Sequence, residues 1–141
     1  MRARQVIVLA ATALAAACTE GNATGPAELK LDRDTCAGCG MVISEKQFAA
    51  QVRGPAGASM KFDDLGCALG WLDAQPFKDD PATAIWVVSP DGAWVDARAA
   101  HFTAGHTTPM AFGFAPSTAA GALDFETTRA RLRAHHAKET P

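Results

Sequence analysis

The sequence predicts an α+β fold: two small related units packed together, each a set of short strands closed by one helix. Three observations lead there. Short segments that alternate or carry β-branched residues recur between turns built on glycine and proline. Two stretches read as helices, one after Phe62 and one after Phe125. The two are introduced alike, by Met60-Lys61-Phe62-Asp63-Asp64-Leu65 and Leu123-Asp124-Phe125-Glu126-Thr127-Thr128, and each has a leucine seven residues beyond the phenylalanine, Leu69 and Leu132. The repeat reads as a strand ending in phenylalanine, an acidic helix start and a helix, used twice.

The chain opens with Arg2 and Arg4 and an apolar run from Val6 to Ala17. That run is about a dozen residues long, where a bilayer-spanning helix needs roughly 20, so residues 1–17 read as a secretion signal that is removed. Leu14-Ala15-Ala16-Ala17-Cys18 resembles a bacterial lipobox, in which the cysteine thiol receives diacylglycerol and becomes the mature N-terminus. The plain alternative is an ordinary A-x-A signal peptide with an incidental cysteine. Two or three acyl chains on Cys18 would hold the protein stably on a membrane, which one chain does poorly. Thr19 in place of a retaining aspartate points to the outer membrane, facing the periplasm. Residues 18–27 are small, polar and rich in breakers, as a flexible tether is, and the folded domain is expected over 28–141.

Within the domain, Met41–Ser44, Phe48–Arg53 and Ser59–Phe62 read as strands, with Gly54-Pro55-Ala56-Gly57 as a turn. Asp63 can cap a helix running to about Ala74, with Leu65, Ala68, Leu69 and Leu72 on one apolar face and Pro76 as its stop. Ala84–Ser89 and Ala93–Ala97 form a hairpin around Pro90-Asp91-Gly92. Gly121–Phe125 leads into a last helix, Glu126–His136.

The formal net charge of −2 grows more negative once Arg2 and Arg4 leave with the signal, and no basic stripe exists to neutralise phosphates, so a nucleic-acid partner is not expected. No Ser-His-Asp arrangement, phosphate loop or dinucleotide fingerprint is visible, and the protein is not expected to be an enzyme.

Chemistry concentrates in Cys36-Ala37-Gly38-Cys39-Gly40-Met41. A C-x-x-C pair can ligate metal, form a small disulfide or exchange thiols. A structural zinc site needs four ligands, and only Cys67 remains elsewhere, with no second closely spaced pair. A thioredoxin-like site places its first cysteine at a helix N-terminus, whereas this pair runs into Met-Val-Ile-Ser, which prefers strand. In an extended segment Cys39 and Met41 project from the same face, and Gly38 and Gly40 let the backbone curl so that Cys36 joins them. Thiolate and thioether are soft ligands, which favour Cu(I) over harder divalent ions. Alone, Met41 would as readily be a packing residue.

A second patch, His101-Phe102-Thr103-Ala104-Gly105-His106-Thr107-Thr108-Pro109-Met110, reads as a long irregular loop offering two imidazoles, His101 and His106, and a third soft sulfur, Met110. Cys67 falls on the inner face of the first helix and reads as a small buried hydrophobe. Capping accounts for Asp63-Asp64. His135-His136 sits at a frayed helix end, where histidine suits the dipole and binds metal adventitiously.

With these segments in view, the chain resembles the NosL family, accessory lipoproteins of nitrous oxide reductase assembly. The resemblance rests on Cys18, on Cys36-x-x-Cys39-Gly40-Met41, on Phe62-Asp63-Asp64-Leu65-Gly66-Cys67, on Trp94-Val95-Asp96-Ala97 and on Thr108-Pro109-Met110, spread across nearly the whole mature chain. It implies a pair of ββαβ-like units, Cu(I) as the metal, and Cys39, Met41 and Met110 as its sulfur ligands, with Cys36 variable within the family. It also implies a copper-receiving partner, nitrous oxide reductase or its membrane assembly complex. The chain departs from better-known members at Ala111-Phe112-Gly113, where glycine would directly follow the methionine, and at His101 and His106, which replace a more aromatic stretch. The leading expectation is a metallochaperone that passes Cu(I) by ligand exchange. The alternative is a thiol–disulfide lipoprotein using Cys36 and Cys39, which has no need of Met41 or Met110.

Overall fold

The computed structural model describes residues 24–139, so Cys18 and the signal segment lie outside the described residues. The described residues are mixed α and β, with two antiparallel sheets and two helices. Strands β1 (Ala50–Arg53), β2 (Met60–Phe62), β3 (Ala84–Val88) and β4 (Trp94–Asp96) form one sheet in the order β2-β1-β3-β4. Strands β5 (Phe102–Ala104) and β6 (Phe114–Pro116) form the second. Helix α1 (Leu65–Asp73) follows β2 and helix α2 (Phe125–Glu139) closes the described chain. No helix among the described residues is long and apolar enough to cross a membrane.

The first helix follows from its sequence. Asp64 is the N-cap, its Oδ1 accepting from the Gly66 amide at 2.9 Å. Leu65, Ala68, Leu69 and Leu72 are all buried, as their spacing requires, and they pack toward β1 and β2. Phe62, at the end of β2, lies beneath the same helix with Trp71 at a ring-centroid distance of 5.5 Å. The β3–β4 hairpin turns where expected: Gly92 takes φ +88° and donates to Ser89 O at 2.8 Å.

Four expected elements differ. Met41–Ser44 is not a strand; one bridge, Thr35 to Val42, is all the ladder it makes, because Gly40 at φ +78° turns the chain before it. Phe48 belongs to a 3-10 turn, Lys46–Phe48, that precedes β1. The 101–110 segment is not wholly irregular, since Phe102–Ala104 is β5; a fully buried Phe102 anchors it, and its amide and carbonyl exchange 2.8 Å bonds with Leu123. Phe125 is the first residue of α2, capped by Asp124 through Thr127, so it does not end a strand as Phe62 does. The side-chain pattern of the repeat persists, with Phe62 and Phe125, Leu69 and Leu132 all buried, while its backbone register does not.

The start of the described chain is docked. Gln51, fully buried on β1, exchanges two hydrogen bonds with the backbone of Ala27, at 2.8 and 2.9 Å, and Arg53 donates to Gly25 O at 3.1 Å. Composition places Gly25 and Ala27 in the tether, whereas these bonds dock them onto β1. Opposite, α2 is tied to α1 by Asp73, which accepts from Arg129 at 2.8 Å and from Arg133 at 2.7 Å through each carboxylate oxygen.

Candidate metal centre

The Cys36–Met41 segment closes on itself. The Cys36 amide donates to Met41 O at 2.7 Å, the Gly40 amide to Cys36 O at 2.9 Å, and the Ala37 amide hooks the loop to Lys61 O on β2 at 2.8 Å. That strand leads into Asp63, Asp64 and α1, so the loop is laid against the start of the helix. Gly38 makes the contact close: a Cβ there would stand 3.3 Å from Cys67 Cβ and 3.7 Å from Cys36 Sγ.

The result is one cluster. Ligand atoms of Cys36, Cys39, Asp63 and Cys67 all lie within 4.8 Å of one another, and these three cysteines are free thiols. Cys36 is deepest, 2% exposed, while Cys39 and Cys67 are half-buried. The Cys39 thiol donates to Asp63 Oδ2 at 3.4 Å; Asp63 Oδ1 is buried with no hydrogen-bond partner. An orphaned carboxylate oxygen beside three thiols is a costly arrangement without a cation.

Electrostatics point the same way. The Cys67 thiol donates to Cys36 sulfur and, helped by the amides of Cys39 and Asp63 against the cost of burial, holds Cys36 at about 6. Burial first, and then the neighbouring Cys36, push Cys39 up to about 11. Cys67 is pushed far up by its bond to Cys36 and by burial. One thiolate therefore forms readily at neutral pH, and the next two are opposed until a positive charge arrives.

A metal ion bonded to sulfur at about 2.3 Å in trigonal or tetrahedral geometry holds its sulfurs roughly 3.8–4.0 Å apart. Donors within 4.8 Å of one another reach that spacing by small rotations. Three cysteines and one aspartate could therefore hold a metal ion. Along the sequence Cys67 stands alone, far from the Cys36 and Cys39 pair; the fold brings it to them and adds Asp63 as a fourth donor.

Of the expected ligands, Cys36 and Cys39 are brought together. Met41 is 53% exposed, since Gly40 breaks the extended path that would have aligned it with Cys39. Met110 is half-buried and its amide donates to Asp64 Oδ2 at 3.3 Å, so its loop does return to the start of α1. His101 and His106 are exposed; His106 bonds Thr103 Oγ1 at 2.9 Å, and neither belongs to the cluster. The sequence pattern gives Asp63 to capping and Cys67 to packing, and the fold places both in the cluster. Asp64 alone performs the capping assigned to the pair, which leaves Asp63 for the cluster. The available signal was the four-residue step from Asp63 to Cys67, one turn apart across the helix start.

Beside the cluster opens a cleft of about 480 Å³, lined by Cys39, Cys67, Trp71, Phe112 and His136 among others. The Phe112 ring covers Gly66 at its rim. Compared with known proteins, the chain matches no family model, and no curated protein or solved structure matches it either.

Proposed function

We propose that the protein is a metallochaperone of the cell envelope, a lipoprotein anchored through Cys18 that holds Cu(I) on sulfur and releases it to a copper-receiving protein. The observation that carries this is the cluster of three thiols and one carboxylate beside an open cleft. Three sulfurs are a soft donor set, suited to Cu(I), and the cleft gives an incoming ligand access to Cys39 and Cys67 before the old ligands leave. Asp63 places one negative charge against the bound cation. Met110, on a loop that bonds the helix start, supplies a displaceable thioether, and Met41 a second at the surface.

By resemblance to the NosL family, the fold is a pair of ββαβ-like units and the client is nitrous oxide reductase or its membrane assembly complex. The order β1-β2-α1-β3 agrees with the first such unit.

Thiol–disulfide exchange is the second reading, supported by a Cys36 thiolate with two thiols beside it. Burial weighs against it, because a nucleophile 2% exposed cannot reach a substrate disulfide in line.

The test is an anaerobic Cu(I) titration of the reduced protein against a competing chelator, repeated with equal Zn(II) present. Cu(I) retained against zinc supports the proposal. Zinc winning, which a Cys3Asp set permits, would end the copper assignment.

A further inference from the structure

Three free thiols in one cluster are able to bond to one another as well as to a metal. The ligand atoms of Cys36, Cys39, Asp63 and Cys67 lie within 4.8 Å of one another. A disulfide holds its sulfurs at about 2.05 Å, a difference that rotation of two cysteine side chains closes. Hydrogen bonds separate the three pairings. The Cys39 thiol donates to Asp63 Oδ2 at 3.4 Å, while Asp63 Oδ1 has no partner. Drawing Cys39 into a disulfide would take that donor from a buried carboxylate already short of one. The Cys67 thiol instead donates to the Cys36 sulfur. Gly38 seats the loop on this pair, since a Cβ there would stand 3.3 Å from Cys67 Cβ and 3.7 Å from Cys36 Sγ.

Access divides the roles of the two sulfurs. Cys36 is 2% exposed, whereas Cys67 is half-buried and lines the cleft of about 480 Å³. An external oxidant that enters the cleft meets Cys67, and Cys36 stands behind it as the sulfur that resolves the first product. The bond would join the Cys36–Met41 loop to α1, across the contact that Gly38 already makes close.

We infer that the metal centre is redox-gated: oxidation joins Cys36 to Cys67 in a disulfide, and the oxidised site no longer holds a metal ion. This rests on the proposal that the cluster holds Cu(I). The oxidant is a disulfide, RS–SR, the class that exchanges with accessible thiols. The Cys67 sulfur, losing its proton to water, attacks RS–SR; a mixed disulfide forms and one RS⁻ leaves. The Cys36 thiolate then attacks the Cys67 sulfur, the Cys36–Cys67 bond forms and the second RS⁻ leaves. The two cysteines lose two electrons and two protons, and the oxidant ends as two RSH. Of the cluster, one thiol and one carboxylate remain, Cys39 and Asp63, too little soft sulfur to keep Cu(I). A bound metal ion occupies both sulfurs and holds the reaction off.

The experiment incubates the reduced full-length protein anaerobically with oxidised glutathione, with and without one equivalent of Cu(I). Free thiols are then trapped with N-ethylmaleimide and tryptic peptides are mapped by mass spectrometry. Cys36 and Cys39 share the peptide 34–46, and Cys67 lies in 62–78. A Cys36–Cys67 bond links the two peptides, and fragmentation separates it from a Cys39–Cys67 link; a Cys36–Cys39 bond stays within one peptide. The expected product is the Cys36–Cys67 link, in wild type and in Cys39→Ser, formed at least about tenfold more slowly when Cu(I) is bound. Oxidised wild type is expected to bind Cu(I) at least about 100-fold more weakly in bicinchoninate competition, with affinity restored by reduction. A bond within 34–46, a Cys39–Cys67 link or no link overturns the inference, as does an oxidised protein that binds Cu(I) as tightly as the reduced one. Reduced wild type that fails to bind Cu(I) would instead sink the reading of the cluster as a copper site, and the gate with it.

Discussion

The Phe112 ring occupies the space in which a side chain at residue 66 would begin: a Cβ on Gly66 would stand 2.1 Å from Phe112 Cγ and 2.2 Å from Cδ2. Only glycine lets this ring close over the first turn of α1. Gly66→Ala must therefore expel Phe112 and is expected to lower stability. In a Phe112→Ala background the same change should be neutral or stabilising by up to about 1 kcal/mol, the helix-propensity difference. Urea melts of the four proteins give the coupling, and additive effects would show that the ring and the glycine do not meet.

Removing Cys67 tests the donor that sequence reasoning assigned to packing. Cys67→Ala is expected to weaken Cu(I) binding by at least about tenfold, or 1.4 kcal/mol, while the melting temperature changes little, because the residue is only half-buried. Chelator competition on wild type and variant measures it. Unchanged affinity would return Cys67 to a structural role.

Metal binding should strengthen as pH rises. Above about pH 6 Cys36 is already a thiolate, so binding must release protons from Cys39 and Cys67, both shifted upward. Each proton released contributes about a tenfold gain per pH unit. Below pH 6 Cys36 must also lose a proton and the slope should steepen. Chelator competition between pH 5 and 8 reads the slope, and a flat profile would contradict thiol ligation.

Acid should loosen the contact between the helices. Arg133, and with it Arg129, holds Asp73 at about 2, below its ordinary 3.8. A lowered carboxyl contributes stability above its unfolded value, and the contribution fades as pH falls from about 4 toward 2. With Arg133 half-exposed, solvent screening leaves about 1 kcal/mol. Denaturant midpoints of Asp73→Asn and wild type should differ at pH 7 and converge near pH 2.

The methionines separate by place. Met110→Leu keeps volume and apolarity, so it should cost less than about 1.5 kcal/mol of stability, and it is expected to weaken Cu(I) binding. Met60→Leu, on the edge strand β2 and 37% exposed, should leave binding unchanged. Equal affinity in wild type and Met110→Leu would remove that loop from the site.

What could be read from the sequence was whatever one period governs. Leu65, Ala68, Leu69 and Leu72 announce a helix face by spacing alone, and all four are buried. Cys36 and Cys39 announce a site because they are neighbours in the chain. Asp63 and Cys67 carry no such signal: their partners sit across a loop attached by the Ala37–Lys61 hydrogen bond, a tertiary contact. The β5–β6 pair leaves no mark in the sequence for a similar reason. It is three residues on each side, held by Phe102 and by a backbone bridge to Leu123, and so short a strand has no alternation to display.

The bonds from Gln51 and Arg53 to Ala27 and Gly25 shorten the leash. On the proposal that Cys18 carries the lipid, seven residue steps separate it from Gly25, and at about 3.5 Å per residue they could span at most roughly 25 Å. A domain anchored in that way would work in a shell close to the membrane surface. An acceptor would have to stand on that same membrane or come to it, and lengthening the segment before Gly25 would widen the working radius without touching the metal centre.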